Sequence, residues 1–143
     1  MSRNRLQYSA FLGGVFFFLC AQGGNALLGK PLLCNPGIGF GIPIPQKFLL
    51  LSTLLGILMI ASFLRIGIRD SSSWYKMRAV AIALLGGGAA SNFLDRLRWG
   101  CVPDFFPLFF FPAFNIADVG ISLGAVLLLF TLFCAETNTK NQK

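Results

Sequence analysis

A chain of 143 residues that is 55% hydrophobic and 12% charged, with a mean hydropathy of +0.71, lies outside the composition of soluble globular domains. Its net charge of +7 does not indicate nucleic acid, because the 12 basic residues are spread among short connections rather than gathered on one face. The absence of histidine from the chain excludes Ser-His and Cys-His nucleophilic pairs and an HExxH zinc site.

A hydrocarbon core of roughly 30 Å needs about 20 apolar helical residues, and four such runs follow one another. Leu6 to Gly29, between Arg5 and Lys30, predicts a first helix over 8–29. Arg3 and Arg5 before Phe11–Leu19 also suit a signal peptide, but Phe17, Phe18 and Leu19 are bulky where a cleavage site before Cys20 needs small residues, so helix one is expected to stay. The connection from Lys30 to Lys47 holds Pro31, Pro36, Pro43 and Pro45 with Gly37, Gly39 and Gly41, which favours turns or short extended pieces. Phe48 to Leu64 predicts a second helix over 48–68, and Ala79 to Leu94 a third over 77–95. The third contains Gly86, Gly87, Gly88, Ala89, Ala90 and Ser91, small side chains that let neighbouring helices approach closely. Pro112 to Cys134, interrupted only by Asp118, predicts a fourth over 112–134.

The expected fold is therefore all-α and membrane-integral: a single four-transmembrane-helix bundle over 1–143, with short irregular or β-like outer loops. If both termini face the cytoplasm, Arg3, Arg5, Arg65, Arg69, Lys76, Arg78, Lys140 and Lys143 lie inside, against Lys30, Lys47, Arg96 and Arg98 outside. This asymmetry sets the expected topology. The cysteines Cys20, Cys34, Cys101 and Cys134 show no metal spacing, so no metal is expected. Only Cys34 and Cys101, both in outer connections, can pair.

Of the five acids, Asp95, Asp104 and Asp118 cluster, while Asp70 and Glu136 sit in inner segments beside basic residues. Asp118 reads as lying about two turns inside helix four, where a carboxylate costs on the order of 3 kcal/mol and marks a function or an ion pair. Asn115 shares its helix face. Asp104 stands between Pro103 and Phe105, able to fold back toward helix four, and Asp95 adjoins Arg96 as a possible charge partner. Two carboxylates converging there cannot both ionise cheaply, so one holds a proton while the other activates water. A small proton-coupled transporter using Asp118 is the competing reading.

Three stretches in register, Ser91-Asn92-Phe93-Leu94-Asp95-Arg96, Val102-Pro103-Asp104-Phe105 and Phe111-Pro112-Ala113-Phe114-Asn115-Ile116-Ala117-Asp118, resemble lipoprotein signal peptidase (signal peptidase II). Upstream, Asn35-Pro36-Gly37-Ile38-Gly39-Phe40-Gly41 is similar to that family's Asn-x-Gly-x-x-Phe loop. The resemblance implies an aspartic endopeptidase of the bacterial inner membrane that removes signal peptides from diacylglyceryl-modified prolipoproteins, without cofactor or metal. Asp104 and Asp118 would be its catalytic pair, working on the outer-leaflet side. Asn35, Gly37, Asn92, Asp95, Arg96, Asn115 and Ala117 would bind substrate or support the pair. The expected partners are the prolipoproteins and membrane lipids, with no nucleic acid, and the expected state is a monomer. A non-catalytic lipoprotein-binding homologue is the alternative within the same resemblance. Near the end of helix one the family has Asp-Gln followed by a Lys, where this chain reads Ala21-Gln22-Gly23-Gly24-Asn25.

Overall fold

The computed structural model describes residues 3–37, 45–67, 74–108 and 111–140. Four helices dominate: α1 (Arg3–Leu28), α2 (Gln46–Gly67), α3 (Tyr75–Trp99) and α4 (Ile116–Lys140). Four short strands lie between them: β1 (Leu33–Asn35) after α1, then β2 (Val102–Asp104), β3 (Phe106–Leu108) and β4 (Phe111–Phe114) between α3 and α4. Among the described residues, three stretches are long and apolar enough to cross a membrane: Arg5–Leu28, Tyr75–Trp99 and Ile116–Cys134. Residues 38–44 of the connection after α1, and Asp70, lie outside the described residues.

The surface is largely apolar and much of the interior is small or polar. Phe11, Phe16, Leu55, Val126 and Phe133 are all exposed, whereas Ala10, Ala21, Ala79, Ala81 and Ala117 are buried. In lipid this costs nothing, because hydrocarbon is as good a solvent for Phe as a protein core, and backbone groups are satisfied within each helix. Close approach of backbones then supplies the packing. Helix α3 is the hub, packed against α1, α2 and α4. Its adjacent Gly87 and Gly88 serve different neighbours: a Cβ on Gly87 would lie 2.5 Å from the Gly14 carbonyl oxygen of α1, and one on Gly88 2.6 Å from the Ala117 oxygen of α4.

Several boundaries differ from expectation, each for a local reason. Helix α1 starts at Arg3 rather than 8, since no Pro or Gly interrupts Arg3–Gln7. Helix α3 runs on from 95 to Trp99, where Gly100 takes a left-handed φ of 73° and donates its N–H to the Arg96 carbonyl at 3.0 Å. That conformation suits a residue without a Cβ and ends the helix. Helix four was expected from 112, yet Phe111–Phe114 is a strand paired antiparallel with β3, and α4 begins at Ile116. Pro112 has no N–H to give a helix interior, and strand pairing uses the neighbouring groups instead.

The described segments between these helices thus pair as two small antiparallel sheets. In one, Leu33 pairs with Asp104, Cys34 with Pro103 and Asn35 with Val102. The other pairs Phe106 with Phe114, and Phe105, just before β3, donates its N–H to the Phe114 carbonyl at 3.0 Å. Because β2 follows α3 and β4 precedes α4, both sheets sit at the end of the bundle where α1 and α3 finish and α4 starts.

Candidate active site

Asp104 and Asp118 arrive at this end by different routes. Asp104 is the last residue of β2 and is almost completely buried. Asp118 is in the first turn of α4, not two turns inside it as its sequence position suggested. The later helix start moves it to the third helical position. There it forms a reciprocal capping box with Asn115: Asp118 N–H donates to Asn115 Oδ1 at 3.1 Å, and Asn115 N–H donates to Asp118 Oδ2 at 3.2 Å. A carboxylate in this place is favoured by the helix dipole and by the free N–H groups of the first turn.

Asn115 also ties the two acids together. Its side-chain amide donates to Asp104 Oδ1 at 3.1 Å and to Asn92 Oδ1 at 3.2 Å. Asn92 in turn donates to Asp118 Oδ1 at 2.8 Å, and Asn35 donates to Asp104 Oδ2 at 3.3 Å. Burial lifts the Asp104 carboxyl to about 6; the Asn115 hydrogen bond opposes this, the Asp118 charge adds to it, and Asn35 and Arg96 oppose it again. The Asp118 charge thus lies close enough to act on Asp104.

The remaining expected residues are placed as follows. Gly37 N–H donates to Asn35 Oδ1 at 3.0 Å, fixing that side chain, and Arg96 donates to the Gly37 carbonyl at 3.1 Å and to the Asn92 carbonyl at 3.4 Å. Ala117 is fully buried where α4 meets Gly88. Asp95 does not take Arg96 as its hydrogen-bond partner. Its Oδ1 accepts from Gln22 Nε2 at 2.9 Å, and the same amide reaches Ser91 Oγ at 2.9 Å. Residues 95 and 96 leave a helix about 100° apart, so their side chains meet different neighbours. Gln22, Ser91 and Gln46, which donates to the Arg96 carbonyl at 3.2 Å, are supports to which sequence reasoning gave no role, although Ser91 and Gln22 lie in the stretches compared with the family; their partners are 50 to 73 positions away, so no local pattern pairs them.

A disulfide joins Cys34 to Cys101, with Cα atoms 5.6 Å apart. It fastens the strand carrying Asn35 to the segment leading into Asp104. Closing a loop with a sequence separation of 67 restricts the unfolded chain, an effect of about 2–4 kcal/mol. Reduction is expected to lower the thermal midpoint of the purified protein and to leave a Cys34→Ser variant unchanged. Equal midpoints with and without reductant, on protein whose thiols are shown to be freed, would remove this contribution.

Comparison with known proteins identifies relatives of this chain. The family model described as signal peptidase (SPase) II matches residues 25–134. The chain is 37% identical to the lipoprotein signal peptidase of Aquifex aeolicus over 118 residues, covering 77% of this chain and 68% of the relative. It is 35% identical to that of Moorella thermoacetica over 100 residues, covering 68% of this chain and 63% of the relative. A solved structure described as a bacterial membrane enzyme, determined by the in meso method at 2.3 Å resolution, superposes with a TM-score of 0.76 and 26% identity, over 94% of this chain and 92% of that one. The chain belongs to the signal peptidase II family of membrane proteases.

Proposed function

We propose that this protein is an aspartic endopeptidase that removes signal peptides from diacylglyceryl-modified prolipoproteins, with Asp104 and Asp118 as its catalytic pair. The observation that carries the reading is the Asn115 amide and backbone N–H, which hold Asp104 Oδ1 and Asp118 Oδ2 to one residue. In the working state one carboxylate takes a proton from water as it attacks the scissile carbonyl. The protonated partner donates to the carbonyl oxygen, and the amine leaves with the proton gained by the first acid. Asn92, Asn35 and Arg96 orient the pair and the substrate backbone.

In this reading all four helices span the bacterial inner membrane as one domain, acting as a monomer with both termini cytoplasmic and the strand end outside. The basic-residue asymmetry supports that orientation, and so does the Cys34–Cys101 disulfide, which belongs in an oxidising compartment. The lipid-linked substrate then meets the acids at the outer boundary, its acyl chains contributing about 0.8 kcal/mol per buried CH₂. Incubation of the purified protein with a diacylglyceryl-modified precursor should release the signal peptide, and an unlipidated precursor should be cleaved poorly. Equal cleavage of both, or inhibition by a chelator, contradicts the reading. Reporter fusions after Lys30 and Ser72 should read outside and inside respectively.

A pH dependence follows from Asp104. Its raised value means that the proton is held below about 6 and lost above it, so kcat/KM for the free enzyme is expected to fall as pH rises through that region. A profile flat from pH 5 to 8, with stability unchanged, would separate Asp104 from proton transfer.

A further inference from the structure

We propose, resting on the aspartic reading, that the Cys34–Cys101 disulfide is a redox-controlled positioning element of the proteolytic site: closed, it holds Asn35 on Asp104, and opened by a dithiol it releases Asn35 and slows the reaction. Strand β1 buries few apolar atoms of its own, since Leu33 is 50% exposed and Cys34 is exposed, while Asn35 is buried. A two-stranded pairing of three residues is marginal by itself. The ties that hold β1 are polar or covalent: the pairing with β2, Leu32 N–H donating to the Asp104 carbonyl at 2.9 Å, Arg96 donating to the Gly37 carbonyl at 3.1 Å, and the disulfide. Cys34 directly precedes Asn35, whose amide donates to Asp104 Oδ2 at 3.3 Å. Cys101 directly precedes β2, and Asn35 pairs with Val102. The bond therefore fixes where Asn35 sits along the strand that carries Asp104.

The two halves of the bond are not equally reachable. Cys34 is exposed, whereas Cys101 is 7% exposed, so the thiolate of a dithiol meets Cys34 first. Its attack forms a mixed disulfide on Cys34 and expels Cys101 as a thiolate, which takes a proton. The second thiol of the reagent then attacks the mixed disulfide and frees Cys34. Two electrons and two protons pass from the dithiol to the protein, which gains two thiols, and the dithiol leaves as a disulfide. A small-molecule disulfide reverses the exchange. The site is thus complete only in an oxidising compartment, and a chain whose cysteines are still thiols carries Asn35 loosely.

The test uses the full chain in detergent, oxidised or reduced with dithiothreitol, its freed thiols counted, and a diacylglyceryl-modified precursor. Reduction should lower kcat about ten-fold, the size of one hydrogen bond to a charged group, with little change in KM, and glutathione disulfide should restore it. A bond that only stabilises the fold leaves the kcat of folded protein unchanged. Cys34→Ser should match the reduced protein and ignore the dithiol. Because the effect passes through Asn35, Asn35→Ala should be slow in both redox states, with no further loss on reduction. The Asn35 hydrogen bond opposes the raised value of the Asp104 carboxyl, which also feels Asp118 of α4 and Arg96 of α3. Reduction should therefore move the fall of kcat/KM to higher pH. Hydrogen exchange over 33–37 reads the same hold without catalysis, and should speed on reduction while that of α3 stays as it was. If the oxidised protein cleaves no precursor, the aspartic reading fails and exchange decides the hold on Asn35: faster exchange supports it, unchanged exchange overturns it. Equal kcat in both redox states, or a redox effect that survives Asn35→Ala, also overturns the proposal.

Discussion

Asp104→Asn and Asp118→Asn are each expected to lower turnover of a lipidated precursor by about 10²- to 10⁴-fold, the range that a positioned acid or base contributes. Asn nearly matches Asp in shape but cannot act as an acid or base, so either change breaks the proposed pair. The surrounding donors make the comparison demanding. Both oxygens of Asp104 accept from amides, of Asn35 and Asn115, and an introduced amide turns one acceptor into a donor facing a donor. Asp118→Asn keeps one oxygen for either the capping box or Asn92, not both. Some destabilisation is therefore expected, about 1–3 kcal/mol per unsatisfied buried group, and turnover must be measured on equal amounts of folded protein. Asp70→Asn is the control, an acid that the sequence places in the inner loop. Wild-type turnover by a folded Asp104→Asn or Asp118→Asn variant would remove that residue from the chemistry.

Gly88→Val should be nearly as damaging, through geometry alone. A Cβ at Gly88 lies 2.6 Å from the Ala117 carbonyl oxygen and 2.9 Å from Ile121 Cγ1, and since the first neighbour is backbone, α4 must move. Overpacking of this kind costs typically 1–3 kcal/mol. The displacement falls where it matters most, because Ala117 precedes Asp118 and Asn92, one turn after Gly88, donates to Asp118 at 2.8 Å. A shift near 1 Å at reacting groups can lower rates about 10²-fold. The measurement is kcat with a lipidated precursor alongside the thermal midpoint, and Gly56→Ala is the control, as a Cβ there meets nothing within 4 Å. If Gly88→Val lowers the midpoint but leaves kcat intact, the spacing of α3 and α4 is not what holds the pair.

The sequence by itself determined the solvent, the helices and the chemistry on offer. Long uncharged runs bounded by Arg and Lys favour helices in lipid; helices α1, α2, α3 and α4 overlap the four runs read from composition, and among the described residues three of them hold stretches long and apolar enough to cross a membrane. The spacing of Asn92, Asp95, Asp104, Asn115 and Asp118 carried the family, and the structure gathers those of them nearest the acids into one network. Tertiary structure decided how they are used. Whether Pro112 opens a helix or lies in a strand depends on the pairing of β4 with β3, and that pairing moves Asp118 from the helix interior to its capped first turn. Adjacency in sequence suggested Arg96 as a charge partner of Asp95, and the two charges do act on each other, but helical geometry sends their hydrogen bonds elsewhere, to Gly37 and to Gln22. Composition marked Gly86–Ser91 as a packing run, yet only the packed helices assign Gly87 to α1 and Gly88 to α4. Local patterns fix what each segment can do in its solvent; which long-range partner completes each polar group is settled when the helices and strands close on one another.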